Sequence, residues 1–201
     1  MTRKIILLLF LFNLIINISG QNIRDFVIQD NVLIEYIGES EHIVIPDNVT
    51  SIGGSMPFVT SNVISITIPA SVTSIDEWAF MRLYPIWMTR SLESIIVDEM
   101  NLYFSSEDGV LFNKDKTVLL RYPENKKDTS FVIPFGVTSI NGLAFTGNNH
   151  LTSVTIPSSV IEVEALTFHH SDNLRTVFMY RNTRISRSAF TTTNARIVYI
   201  D

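Results

Sequence analysis

Ile45-Pro46-Asp47-Asn48-Val49-Thr50-Ser51-Ile52 is written again as Ile68-Pro69-Ala70-Ser71-Val72-Thr73-Ser74-Ile75, and once more as Ile133-Pro134-Phe135-Gly136-Val137-Thr138-Ser139-Ile140. A drifted copy follows in Ile156-Pro157 with Val160-Ile161-Glu162-Val163. Pro46 to Pro69 is 23 residues, and Pro134 to Pro157 is again 23. A fixed period in the twenties marks one short supersecondary unit stacked on its neighbours, because no single unit can bury its own apolar side. The fold class expected is a mainly β repeat solenoid.

Each unit reads as two extended pieces. In Leu151-Thr152-Ser153-Val154-Thr155-Ile156-Pro157, Leu151, Val154 and Ile156 fall on one side and Ser153 and Thr155 on the other. Such alternation of β-branched residues with Ser and Thr is a half-buried strand. Pro157 ends it, since proline has no N–H for the ladder and holds its predecessor extended. A turn and a short second strand follow. Phe80, Phe145, Phe168 and Phe190 each come five residues after Ile75, Ile140, Val163 and Ile185, whereas Phe58 is slipped to six after Ile52. These rings are expected to stack as an aromatic spine inside the solenoid.

Residues 1–20 stand apart. Arg3 and Lys4 precede an apolar run from Ile5 to Ile18, broken only by Asn13 and Asn17, which exits through Ser19-Gly20. This is the pattern of a secretory signal peptide, with a core shorter than the ~20 residues of a spanning helix. Cleavage after Gly20 is expected, leaving one domain over 21–201; an uncleaved leader acting as an anchor is the alternative and the sole route to a membrane. The chain has no cysteine, so its stability rests on the stacked core and backbone ladder. Beyond residue 20 there are 13 basic and 20 acidic residues, a formal charge of −7, which argues against nucleic acid as a partner.

The pattern LxxVxIPxxVTSIxxxAF at this period resembles the BspA-like, Treponema-type leucine-rich repeats of secreted and surface proteins. The resemblance covers residues 26–200. It implies a curved, right-handed solenoid with β-hairpin insertions, one at Phe26 to Tyr36 and one near 99–131. For the second, Val110 and Phe112 alternate into a polar turn, Asn113 to Lys116, and out through Val118-Leu119-Leu120, which is a hairpin signal in its own right. The resemblance also implies adhesin-like binding of host matrix or neighbouring-cell proteins. Two departures stand out: Asn148 and Ser171 occupy positions where the family often has cysteine, and residues 81–90 form an insertion holding Tyr84 and Trp87.

Nothing in the sequence assembles a catalytic or cofactor site. There is no cysteine nucleophile and no G-x-S-x-G elbow, and Glu162 and Glu164 have no partner base, so no enzyme activity is expected. His42, His150, His169 and His170 fall at different repeat positions and give no metal-site spacing. Asn48-Val49-Thr50 is a glycosylation sequon, meaningful only in a eukaryotic host. Aligning strands on their Ile-Pro gives an outward column, Val44, Thr67, Ile96, Val132, Thr155, Phe178, Tyr199. At ~4.8 Å per rung it runs roughly 30 Å. Ile96, Phe178 and Tyr199 are apolar or aromatic where water is expected, and with Arg181, Tyr84 and Trp87 they are the candidate partner-binding residues. Residues 21–170 carry 8 basic and 18 acidic side chains, whereas 171–201 carry five arginines against Asp172 and Asp201. A protein ligand is the partner expected, the alternative being a self-assembling envelope module. Ala195 to Asp201 aligns as one more rung, with Val198 and Ile200 where Val154 and Ile156 fall, so tail-to-tail dimerisation through it is a further expectation.

Overall fold

The computed structural model describes residues 21–54, 56–58, 62–81 and 91–200. The expected leader, residues 1–20, and the loop residues Tyr84 and Trp87 lie outside the described residues. Within them the chain winds as a β-solenoid with two strand layers. The long-strand layer holds β3 (His42–Val44), β5 (Ser65–Ile68) and β7 (Ser94–Val97), then β11 (Ser130–Val132), β13 (Ser153–Thr155), β15 (Thr176–Met179) and β17 (Arg196–Tyr199). The short-strand layer holds the two-residue strands β4 (Ser51–Ile52), β6 (Ser74–Ile75), β12 (Ser139–Ile140), β14 (Glu162–Val163) and β16 (Arg184–Ile185). Neighbours within each layer pair in parallel one repeat apart: Val44 with Thr67, Thr67 with Ile96, Val132 with Thr155, Thr155 with Phe178.

The repeated letters each have a stacking role. The closing Ile52, Ile140 and Val163 and the preceding Val49, Val72, Val137 and Val160 are buried. The threonine between them faces out, yet its hydroxyl donates to a carbonyl one rung earlier: Thr73 to Thr50 at 3.2 Å, Thr138 to Thr117 at 3.1 Å. The spine forms as expected. Phe58 and Phe80 stack at 6.0 Å, and Phe145, Phe168 and Phe190 follow at 5.0 Å intervals. Tyr122 extends this run, its ring 5.1 Å from Phe145. Asn148, in a position where the family often has cysteine, is fully buried. It donates to the Pro123 carbonyl at 3.0 Å and accepts from the amides of His150 and Leu151, so it ties one rung to the last.

Two insertions interrupt the winding. β1 (Phe26–Gln29) and β2 (Val32–Tyr36) form the expected antiparallel hairpin, and β2 leads directly into β4. The second insertion is larger than the expected hairpin: β8 (Phe104–Glu107), β9 (Val110–Asn113) and β10 (Val118–Arg121) make an antiparallel meander, with β10 joining β12 in parallel. The β8–β9 tip reaches the long-strand layer, where the Ile95 amide donates to the Gly109 carbonyl at 2.9 Å. The outward column is therefore not continuous: β3–β5–β7 and β11–β13–β15–β17 are separate sheets.

The last rung also corrects the expected register. Val177 pairs with Ile197, Phe178 with Val198, and Met179 with Tyr199. Ile197, not Val198, takes the place of Val154, and Tyr199 stands in the column of the buried Met179 rather than in the outward one. The cause is a shorter turn. Val154 to Val177 is 23 residues but Val177 to Ile197 is 20, because Phe168 to Phe190 has lost one residue and the stretch after Phe190 two more.

Candidate binding face

The long-strand layer turns Ser and Thr hydroxyls and a few apolar groups to water. On β7, Ile96 is 48% exposed. On β15 and β17, Phe178 and Val198 lie side by side and half-buried. Tyr199 is 44% exposed despite its inward column, and the Arg181 guanidinium carbon sits 4.5 Å above its ring centroid. Arg181 reaches it from the turn after Met179, so strand order brings Arg181 and Tyr199 together, as a cation–π pair. Phe178 and Tyr199, consecutive to one another across the β15–β17 pairing, alternate to opposite faces and do not form one strip. Ile96 lies in the other sheet. Val44 and Val132 complete the exposed apolar positions of the column.

Sequence reasoning missed the most exposed aromatic of the layer's rim. Phe135 is 84% exposed in the turn after Pro134, where the equivalent turns carry Asp47, Ala70 and Ser158. Comparing those turn positions would have found it. Asn48 stands exposed on the turn after Pro46, its carbonyl accepting from the Asn31 side chain, so the sequon is accessible. The histidines go to separate duties: His42 bonds the Ser65 hydroxyl, His150 the Asn125 side chain, and His169 the Thr191 carbonyl. No group of three or more potential metal ligands converges among the described residues.

Charge clusters where the meander meets the layer. Lys126 bridges Asp108 at 2.9 Å and Asp128 at 3.2 Å, and the Tyr122 hydroxyl donates to Asp128 at 2.8 Å. Burial alone would raise the Asp128 carboxyl, but the Tyr122 and Lys126 bonds hold it below its usual range. Burial first, then the bond to Asp128, pushes the Tyr122 phenol above its own. Deeper in, Arg121 spans the two halves of the molecule. It donates to the Leu143 carbonyl at 2.8 Å, to the Phe80 carbonyl at 3.3 Å and to Glu124 at 3.2 Å, while its Nε has no hydrogen-bond partner. The cavity beside it, lined in part by Asp76, Phe104 and Asn141, holds about 70 Å³. That is well short of the ~300–1,000 Å³ of small-molecule pockets.

The sequence profile of the BspA type leucine rich repeat region matches six copies over residues 16–102 and 123–201. The chain belongs to this family. The unmatched stretch, 103–122, is the β8–β10 meander. Leucine-rich repeats of this kind are a protein-interaction architecture. Among solved structures, a leucine-rich repeat protein from Eubacterium ventriosum matches with 26% identity and a TM-score of 0.56, covering 72% of this chain and 42% of its own. The pneumococcal vaccine antigen PcpA matches at 23% and 0.55, over 74% and 40%. A leucine rich cell surface protein from Faecalibacterium prausnitzii matches at 24% and 0.50, over 77% and 52%. This chain thus spans about half or less of each relative's length, and the two less identical relatives share its fold. No curated protein matches it significantly.

Proposed function

We propose that residues 1–20 direct export and are removed, and that the remaining chain works outside the cell or at its surface as an adhesin-like, non-enzymatic binder of a protein partner. The observation that carries the binding role is the outward face of β15 and β17. Phe178 and Val198 stand open there, with the Arg181–Tyr199 pair at the strand exit. Aromatic and arginine side chains are the usual material of binding hot spots. Export rests on Arg3, Lys4 and the short apolar core; N-terminal analysis of secreted protein is expected to begin at Gln21, and intact Met1 in a membrane fraction would point to an anchor.

Capture of purified matrix proteins and of neighbouring cells by immobilised mature chain tests the binding role. Replacing Phe178 and Tyr199 together by Ser is expected to weaken capture while circular dichroism stays unchanged. Capture untouched by that change would move the site to the loop carrying Tyr84 and Trp87. Self-assembly in size exclusion with no captured protein would favour the envelope-module reading instead.

A further inference from the structure

The long-strand layer changes sign along the solenoid. The strand-entry column, fixed by the backbone bonds of Ile64 and Glu93 and of Thr152 and Arg175, runs Glu41, Ile64, Glu93 in the first sheet and Thr129, Thr152, Arg175 in the second. The turn column after the strands goes from Asp47 through Ala70 and on to Ser158 and Arg181. In residues 171–200 every basic side chain is an arginine, five in all, and Asp172 is the single acid. Three of the arginines frame the proposed binding face. The Arg196 amide donates to the Arg175 carbonyl at 2.8 Å, which sets those two exposed side chains on adjacent rungs at the strand entry. Arg181 lies at the exit, over Tyr199. Arg184 belongs to the other layer and faces Glu162 at 3.6 Å.

We infer that this end of the long-strand face takes an extended acidic segment of a partner protein, one carrying carboxylates on either side of an apolar residue. The inference rests on the protein-binding role proposed above. Its geometry is read from the strand: at ~3.3 Å per residue the entry pair and the exit arginine are about 13 Å apart or slightly more. That is the reach of an extended peptide of four or five residues. Arginine presents a planar fork that meets carboxylates in a bidentate way, as lysine does not. Between the cations lie Thr176, Phe178 and Val198, half-buried and mostly apolar. A sulfated polysaccharide or a nucleic acid carries charge at every step and favours an unbroken basic strip. A peptide can alternate charge and apolar contact, as this face does. One Arg175 N–H is already given to the Asp172 carbonyl, which leaves the rest of the fork for a ligand.

Fluorescence anisotropy of the mature chain with a labelled peptide of alternating Glu, Ser and Leu tests this. Binding should weaken about tenfold or more in the Arg175→Glu/Arg196→Glu variant and fall steeply with added salt. Arg184→Glu should leave it unchanged. An Arg175→Gln/Arg196→Gln variant, with circular dichroism, keeps the result readable if charge reversal disturbs the fold. Equal or tighter binding of a heparin fragment, binding of a peptide with Leu replaced by Ser as strong as the original, salt-sensitive dimerisation without peptide binding, or no binding of any probe each overturns the inference. Capture of a matrix protein that survives both arginine variants overturns it while leaving the binding role standing. Absence of all protein capture by the unaltered chain overturns both.

Discussion

Phe145 shows how much one residue carries. Its ring is buried between Tyr122 and Phe168, with centroids at 5.1 and 5.0 Å. Phe145→Ala should therefore cost about 3–5 kcal/mol, as large-to-small changes in a packed core do. Thr155→Ala, on the outward face, should cost far less, and equal losses in denaturant melts would mean that the strand faces are exchanged. The spine was legible because phenylalanine recurs in step. Tyr122 was not, because the meander resets the count before it. Asn148 was recognised as a departure from cysteine, but its four-way bonding depends on where the neighbouring rung's carbonyls stop, which spacing cannot give. Gln21 is a further residue that only geometry reveals: its side chain donates to the His42 carbonyl and accepts from the Val44 amide, closing the edge of β3.

Among the elements, the meander joins the two long-strand sheets through one tight turn. Asp108 and Gly109 have φ of 49° and 76°, and a Cβ on Gly109 would stand 2.8 Å from the Ser94 hydroxyl. Gly109→Ala should destabilise by about 1–2 kcal/mol from backbone conformation alone, with the contact adding to it. A melt within error of the unaltered protein would show that the tip does not dock on β7. The same junction gives a pH dependence. Asp128 has a carboxyl held below its unfolded value of 3.8, so its contribution is complete above that pH and is lost as pH falls through the lower folded value. The stability gap between the unaltered protein and Asp128→Asn should be constant at neutral pH and close under acid; a gap that widens under acid would contradict the Tyr122–Asp128–Lys126 geometry. Alternation announced β9 and β10. It was silent on β8, where Phe104-Ser105-Ser106-Glu107 has too few apolar residues to mark a strand, and it misread β17 because two shortened turns shift the register.

At the scale of the whole molecule, the period alone defined a solenoid, whereas its division into two packed halves came from the meander. Arg121 is the clasp between them, reaching Phe80 on one side and Leu143 on the other. Arg121→Met leaves Glu124 as a lone buried carboxylate and should cost about 3–5 kcal/mol, with Glu124→Leu added to it recovering most of the loss. No recovery in the double variant would mean that the bonds to the two carbonyls, rather than the ion pair, hold the halves together. The binding face was half-legible: the column named Ile96 and Phe178 correctly as outward groups, but a register slip of one residue put Tyr199 on the wrong side and hid Val198. The central claim, that the long-strand face at β13, β15 and β17 is where a protein partner lies, is most directly tested by amide hydrogen exchange of the mature chain, alone and saturated with a captured partner. Slowed exchange over β15, β17 and the turn carrying Arg181, with β4, β6, β12 and β14 unchanged, is the expected result. Protection confined to the short-strand layer or to residues 82–90 would contradict it.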